Sequence, residues 1–374
     1  MSRIVIAVDS FKGSITAAQA SAAVAAGWRD ARPSDEIVVR PMADGGEGTL
    51  ESFASAVTGA QRMPVVVRGP HGRAVEAAWL LLPDGTGVVE LASTSGIELL
   101  GADLRPWDAD TFGFGEAVGA ALDHGVRRLV LGIGSSSSTD AGVGLLTALG
   151  AVVTDADGAP SAPGLRGVDA AAMIDLGGLR ALPPEGAIVL SDVTNPLSGP
   201  RGAAHVFGPQ KGLTAAELDL ADRALARFAA LTGGWADPLG PGTGAAGGTG
   251  FALALWGARL ASGATEVARL IGLDDALAGA QMVITGEGAY DGQSAAGKVP
   301  AFVAERGRAA GAEAVLVAGR IATEADTSAF AATVSLSRLA GSGTASLADP
   351  IRWLRLAGAA LASRPEVARH APRA

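Results

Sequence analysis

The sequence predicts an α/β protein of two α/β domains, one a discontinuous Rossmann- or flavodoxin-like parallel-sheet domain, the other a mixed α/β domain inserted into it. Three observations carry that expectation. Continuous apolar runs such as Ile4 to Val8 and Met282 to Thr285 read as strands buried on both faces, as parallel sheets demand. Each leads into a Gly-rich polar loop and then a helix-forming segment, the order of an open sheet whose ligand-facing loops sit at the strand carboxyl ends. A length of 374 residues supplies about two domains, at roughly 100 to 200 residues each.

In chain order, Ile4 to Val8 is a strand, Asp9 to Ser14 (DSFKGS) its loop, and Thr16 to Arg29 an Ala-rich helix with Ser14 or Thr16 as N-cap. Ile37 to Val39, the loop Pro41 to Thr49 and a helix from Leu50 to Ala56 repeat the unit. From Met63 to Leu91 the texture turns to β-branched runs at Val65 to Arg68, Val75 to Leu82 and Gly87 to Leu91, which predict a meander and the crossing into the second domain. That domain returns to α/β. It has a helix at Gly115 to Asp123, a strand at Leu129 to Ile133, the loop Gly134 to Gly142, a helix near Val143 to Leu149, a strand at Ala187 to Leu190, and helices at Ala215 to Leu231 and Gly250 to Ser262. After the strand Met282 to Thr285 and a loop reaching Lys298 come a helix at Val299 to Ala310, strands at Ala314 to Ala318 and Ala332 to Leu336, and a closing helix from Leu347 to Arg364. The domains are therefore expected at 1–68 with 282–374, and at 69–281, with the active site in the cleft between them.

Composition excludes whole classes of function. Lys plus Arg is 29 against 38 Asp plus Glu, a net charge of −9 with no basic block, so no nucleic-acid footprint is present. The absence of Cys rules out disulfides, thiolate metal sites and Cys nucleophiles. The opening SRIVIAVDS lacks the apolar core of a signal peptide, and no run of about 18 apolar residues follows, so no membrane partner is expected and the cytoplasm is the expected compartment.

The strand-end loops share Gly, hydroxyls, one or two carboxylates and an occasional Lys, which are the parts phosphoryl transfer uses: charge compensation, a held Mg²⁺ and a base near the attacking hydroxyl. Lys12 sits after the first strand, where open sheets bind ligands. Asp44 and Glu47 flank Gly45-Gly46 and suit Mg²⁺, which takes one or two carboxylates; Glu47 in the first helical turn suits the helix dipole equally. Ser135 to Gly142 (SSSSTDAG) offers hydroxyls, Ser136, Ser137 and Ser138 among them, to an anion, against the plainer reading of a helix cap by Thr139 or Asp140. Gly242 to Gly247 spells G-x-G-x-x-G without a preceding strand, so a phosphate-binding nest around Gly244 and Gly247 competes with close packing of a Gly-rich helix start. Gly292 to Lys298 fits G-x-x-x-x-G-K, but Val299 replaces the Mg²⁺-binding hydroxyl; an anion site helped by Lys298 is the better reading. The 22-residue stretch Ser191 to Gly212, far beyond the usual connection of about 4 to 6 residues, presents Asn195, Arg201, His205 and Lys211 as a shaped polar surface. Asp192, Glu287 and Asp291 lie at or just past strand ends.

DSFKGS (Asp9 to Ser14), PMADGGEGT (Pro41 to Thr49), SDVTNPLSGPRGAAHVFGPQKG (Ser191 to Gly212), GTGAAGGTGFAL (Gly242 to Leu253) and ITGEGAYDGQSAAGKVP (Ile284 to Pro300) together resemble the signature segments of bacterial type I glycerate kinases. The resemblance implies ATP- and Mg²⁺-dependent phosphorylation of glycerate, with 2-phosphoglycerate as the product associated with this type. The matched positions are Lys12, Asp44, Glu47, Asp192, Asn195, Lys211, Glu287, Asp291 and Lys298. Within that set Asp192 is the expected base, Asp291 its substitute, and Lys12 a catalytic cation. Ser14, the Ser136 to Ser138 hydroxyls, Asn195, Arg201, Lys211, Lys298, Gly244 and Gly247 are expected around substrate and phosphate, and Asp44, Glu47 and Glu287 around the metal. The rival readings are phosphorylation at the 3-hydroxyl, a kinase for another small hydroxy acid, and a non-catalytic metabolite sensor; the chain acts as a monomer or homodimer.

Overall fold

The computed structural model describes residues 2–292 and 298–364. Its strands, in chain order, are β1 (Arg3–Val8), β2 (Glu36–Val39), β3 (Gln61–Arg68), β4 (Ala74–Leu81), β5 (Thr86–Glu90), β6 (Arg128–Gly132), β7 (Val152–Thr154), β8 (Met173–Asp175), β9 (Ala187–Leu190), β10 (Arg259–Ala261), β11 (Met282–Tyr290), β12 (Glu313–Ile321) and β13 (Ala332–Ser335). The chain divides into two compact units, 1–44 with 51–58 and 264–374, and 45–50 with 59–263.

The first unit holds a five-stranded sheet in the order β13-β12-β11-β1-β2, all parallel. After Arg3, β1 is apolar because both faces are covered: Ile4, Val5, Ile6, Ala7 and Val8 are all buried. The chain leaves β1 toward β2 on one side and later adds β11, β12 and β13 on the other, so the β1–β11 seam is the topological switch point. Against the sheet pack the helices Ala17–Ala31 and Pro350–Ala362, which bury Val24, Trp28, Leu354 and Leu361 in a shared core with Ile6, Ile284 and Val317. Their backbones approach at Gly27 and Gly358, where a Cβ would stand 1.8 Å from the Arg355 carbonyl and 2.2 Å from the Val24 carbonyl. Thr16 caps the first helix in a reciprocal box with Gln19, as one of the two sequence alternatives expects.

The second unit holds a six-stranded mixed sheet, β10-β9-β6-β5-β4-β3, whose β10, β9, β6 and β5 run parallel and whose β5, β4 and β3 form the expected meander. The helices Phe112–His124 and Leu218–Leu231 bring Phe114, Val118, Leu225 and Phe228 into its core beside Leu129 and Leu131.

Several boundaries differ from the sequence reading for identifiable reasons. β3 pairs antiparallel with β4 from Gln61↔Leu81 to Arg68↔Ala74, so 59–68 belong to the second unit rather than the first. Segment 264–281 joins the first unit, where Gln281 N–H donates to the Arg3 carbonyl and the Arg3 guanidinium to the Ala276 carbonyl. β11 runs on to Tyr290 instead of stopping at Thr285, because β12 extends beside it through Ile321. The helix expected over Gly250 to Ser262 is Thr249–Leu255 followed by β10, and the closing helix is broken into Gly343–Ala348 and Pro350–Ala362 at Asp349, which caps the second piece ahead of Pro350. Among the described residues no helix is long and apolar enough to cross a membrane.

Candidate active site

In the first unit six of the expected residues, Lys12, Ser14, Asp44, Glu287, Asp291 and Lys298, line one cavity of about 320 Å³. It opens at the carboxyl ends of β1, β11 and β12, where an open parallel sheet places ligands. Lys12 and Asp44 approach to 3.7 Å. Asp44, ahead of burial, holds the Lys12 ammonium above its ordinary range, so Lys12 is a permanent cation there.

Sequence reasoning overlooked Asp9. It follows the last residue of β1, its N–H donates to the Gly286 carbonyl across the switch point, and it lines the same cavity. Burial, reinforced by Asp44, pushes its carboxyl up to about 8, and Lys12 offsets only part of this. The signal was legible: a carboxylate one residue beyond a strand buried on both faces. Gly288 and Gly319 also line the cavity. A Cβ on Gly319 would lie 2.4 Å from the Gly288 carbonyl, so at this point the wall is bare backbone. Gln293 to Gly297 of the G-x-x-x-x-G-K segment lie outside the described residues.

Asp9, Asp44 and Glu287 form an oxygen-only donor set in which mutual repulsion already raises Asp9. Hard oxygen donors suit Mg²⁺, and a second positive charge beside Lys12 would relieve that repulsion. Among the described residues no group of three or more acidic or His side chains is placed to hold a metal ion by itself. Glu47, expected with Asp44, belongs to the second unit, where it lines a cavity of about 250 Å³ with Glu90, Glu98 and Ser135. There the Glu90 carboxylate accepts from the Gly48 and Leu50 N–H groups at the start of the helix Thr49–Ala56, and burial pushes it up to about 7.

In the second unit the hydroxyl loop, Lys211 and the Gly-rich turn meet, but they meet in the interior. Lys211 is 2 % exposed and donates to Ser136 Oγ at 2.7 Å and to the Ser138 carbonyl at 2.6 Å. Ser137 Oγ donates to the Ser95 carbonyl and Ser138 Oγ to Asp140. Asp140 further accepts from the N–H groups of Thr111, Gly142 and Gly144 and from Thr111 Oγ1, just ahead of the helix Val143–Ala148. These hydroxyls take part in the unit's own polar network. Gly244 and Gly247 are spacers of the same kind: a Cβ would stand 2.1 Å from the Pro196 carbonyl at the first and 2.0 Å from the Ser138 carbonyl at the second. Ser135, Ala141 and Ala246 all hold positive φ around this contact, a concentration of backbone strain.

The stretch from Ser191 to Gly212 is less of a polar surface than its composition suggests. It contains the helix Ala203–Phe207 and buries Leu197, Ala203, Ala204 and Lys211. Asn195 Nδ2 donates to the Arg201 carbonyl, and the Asn195 carbonyl accepts from Gly244 N–H, so Asn195 ties the stretch to the Gly-rich turn. Asp192, exposed just past β9, accepts at Oδ1 from Ser262 Oγ and from Gly263 N–H at the head of the helix Gly263–Leu270.

The family model described as "Glycerate kinase family" matches residues 4–364. The glycerate 2-kinase of Escherichia coli (strain K12) is 41% identical over 311 residues, covering 81% of this chain and 81% of that one. The glycerate kinase of Bacillus subtilis (strain 168) is 39% identical over 333 residues, covering 87% and 86%. A crystal structure from Salmonella typhimurium LT2, whose description assigns it only provisionally as glycerate kinase 2, matches with a TM-score of 0.85 at 36% identity, over 99% of this chain and 100% of that one.

Proposed function

The chain belongs to the glycerate kinase family, and from that premise we propose that it phosphorylates D-glycerate with ATP and Mg²⁺, placing the phosphate on the 2-hydroxyl. The observation that carries the reading is the convergence of Asp9, Lys12, Asp44, Glu287, Asp291 and Lys298 on one cavity at a topological switch point. Phosphoryl transfer needs cations and carboxylates held in place more than it needs covalent chemistry from the protein, and this cavity supplies both.

In this reading Lys12 and Lys298 neutralise phosphate charge, and Lys12 keeps its proton throughout because Asp44 faces it. One or two of the Asp44, Glu287 and Asp9 carboxylates, together with substrate phosphates, would hold Mg²⁺, which when bound would compensate charge on the transferring phosphoryl group. Asp192 is the proposed base toward the substrate hydroxyl, with Asp291 the substitute; the bonds from Ser262 and Gly263 fix the Asp192 carboxylate without burying it. Lys211 and Ser136 to Ser138 act by shaping the second unit. The 2-hydroxyl is preferred because the relative at 41% identity is named a glycerate 2-kinase. The cytoplasm is the compartment that fits such a metabolite kinase.

The test is ADP release with D-glycerate, ATP and Mg²⁺, the product read through enolase without added phosphoglycerate mutase. A direct enolase signal is the expected result. A signal that needs the mutase moves the phosphate to the 3-hydroxyl, and the absence of glycerate-dependent ADP removes the reading.

A further inference from the structure

The cavity of the first unit has a second kind of wall, which the charged residues do not explain. Besides the carboxylates and lysines it is lined by Leu336, Leu347 and Pro350, contributed by the helices Leu336–Leu339, Gly343–Ala348 and Pro350–Ala362 that follow β13. The two walls are separated across the sheet. The charged one rises from β1 and β11, the apolar one stands beyond β12, and β12 lies two places from β1 in the sheet order. Two strand spacings are about 10 Å. Leu336 is buried, whereas Leu347 at the rim is 65% exposed, an apolar side chain presented to the cavity mouth. Gly288 and Gly319 also line the cavity, with the small side chains of Ala289 and Ser346 beside them.

We propose that this cavity seats the nucleoside triphosphate, with its base against Leu336, Leu347 and Pro350 and its phosphates toward Lys12 and Lys298. The inference rests on the kinase reading above and adds which substrate the first unit takes and which residues grip its base. Of the two substrates only the nucleotide has matching chemistry. A base offers a flat apolar face at one end and the triphosphate concentrated charge at the other, whereas glycerate is a three-carbon acid with two hydroxyls and no apolar face to cover a leucine. Ligand sites commonly pair an apolar wall with a few placed polar groups, as here.

Leu347→Ser in the full chain is the test, since an exposed side chain can be shortened without opening the core. Loss of an apolar contact in a binding pocket costs about tenfold or more. The KM for ATP is expected to rise by about that factor while the KM for glycerate and kcat at saturating ATP stay within about twofold, and Leu347→Phe is expected to restore the ATP KM. Calorimetry with ADP and Mg²⁺ supplies a readout independent of turnover, with ADP affinity falling by a similar factor in Leu347→Ser. An unchanged ADP affinity overturns the inference, and so does a rise confined to the KM for glycerate. Should the wild-type chain show no glycerate-dependent ADP release, the kinase reading fails by itself, and the ADP titrations on wild type and variant still decide whether the wall holds a nucleotide.

Discussion

The Lys211 ammonium donates to Ser136 Oγ over 2.7 Å at a position only 2 % exposed to solvent. Burial pulls this lysine down to about 7, even with Asp140 acting in the other direction. The folded state therefore disfavours the protonated form. An unfolded lysine titrates near 10.4, so between about pH 7 and about pH 10 the unfolded chain binds more protons and stability rises with pH; below about 7 both states are protonated and the penalty is constant. The stability of wild type relative to Lys211→Met should climb by up to about 1.4 kcal/mol per pH unit across that window and be flat below it. Denaturant unfolding of both proteins at pH 6, 7, 8 and 9 checks this; parallel curves would mean that Lys211 titrates normally.

Asp140 organises the same interior by accepting from Thr111, Ser138, Gly142 and Gly144. Asp140→Ala leaves those buried donors without an acceptor, and the expected loss is about 3–5 kcal/mol. Asp140→Asn keeps one carbonyl oxygen and should recover part of it. Thermal unfolding with circular dichroism reads the order wild type, Asn, Ala.

Asp192→Asn separates two roles. As the base, Asp192 contributes about 10²- to 10⁴-fold in rate, so kcat should fall by that range with the melting temperature nearly unchanged. As a holder of Ser262 and Gly263 alone it would leave kcat near normal, because the Asn carbonyl still accepts both bonds. Steady-state kinetics at saturating ATP and glycerate distinguishes the outcomes, and near-normal turnover moves the base to Asp291.

Lys12→Met should lower kcat/KM for ATP by about 10²- to 10³-fold, the scale for loss of one placed charge in a phosphoryl-transfer or oxyanion site, and Lys12→Arg should recover part of the loss. Lys12 is 69% exposed, so the protein should fold with unchanged cooperativity. Equal activity in the two variants would show that the positive charge at Lys12 does not contribute.

How far the sequence was legible follows from where each signal lives. Strands buried on both faces announce themselves as apolar runs, so β1 and the first part of β11 could be read directly, and the polar segments that follow those runs and β2 led to Lys12, Glu287 and Asp44. What could not be read is the partner of a side chain distant in sequence. Lys211 and Ser138 are 73 positions apart, and nothing local tells a phosphate-binding lysine from one whose protons go to a buried carbonyl. Glycines mislead in the same way, because G-x-G-x-x-G and a close-packing turn need the same absence of Cβ. Leu347 is invisible for the opposite reason: a leucine in an amphipathic helix signals core until its neighbours are known.

Gly247 gives the sharpest test of the packing reading of that turn. Its φ of +66° is in the left-handed region, and a Cβ there would stand 2.0 Å from the Ser138 carbonyl, the oxygen that accepts from Lys211. Backbone cannot move aside as a flexible side chain can. Gly247→Ala therefore pays for both a left-handed alanine, about 1–2 kcal/mol, and an overpacked contact of about 1–3 kcal/mol, and should displace the Ser138 carbonyl from Lys211. Unfolding should show a loss of about 2–5 kcal/mol. A phosphate nest predicts a different pattern, with stability nearly kept and the KM for ATP raised, so measuring both quantities on one variant separates a turn that packs from a turn that binds.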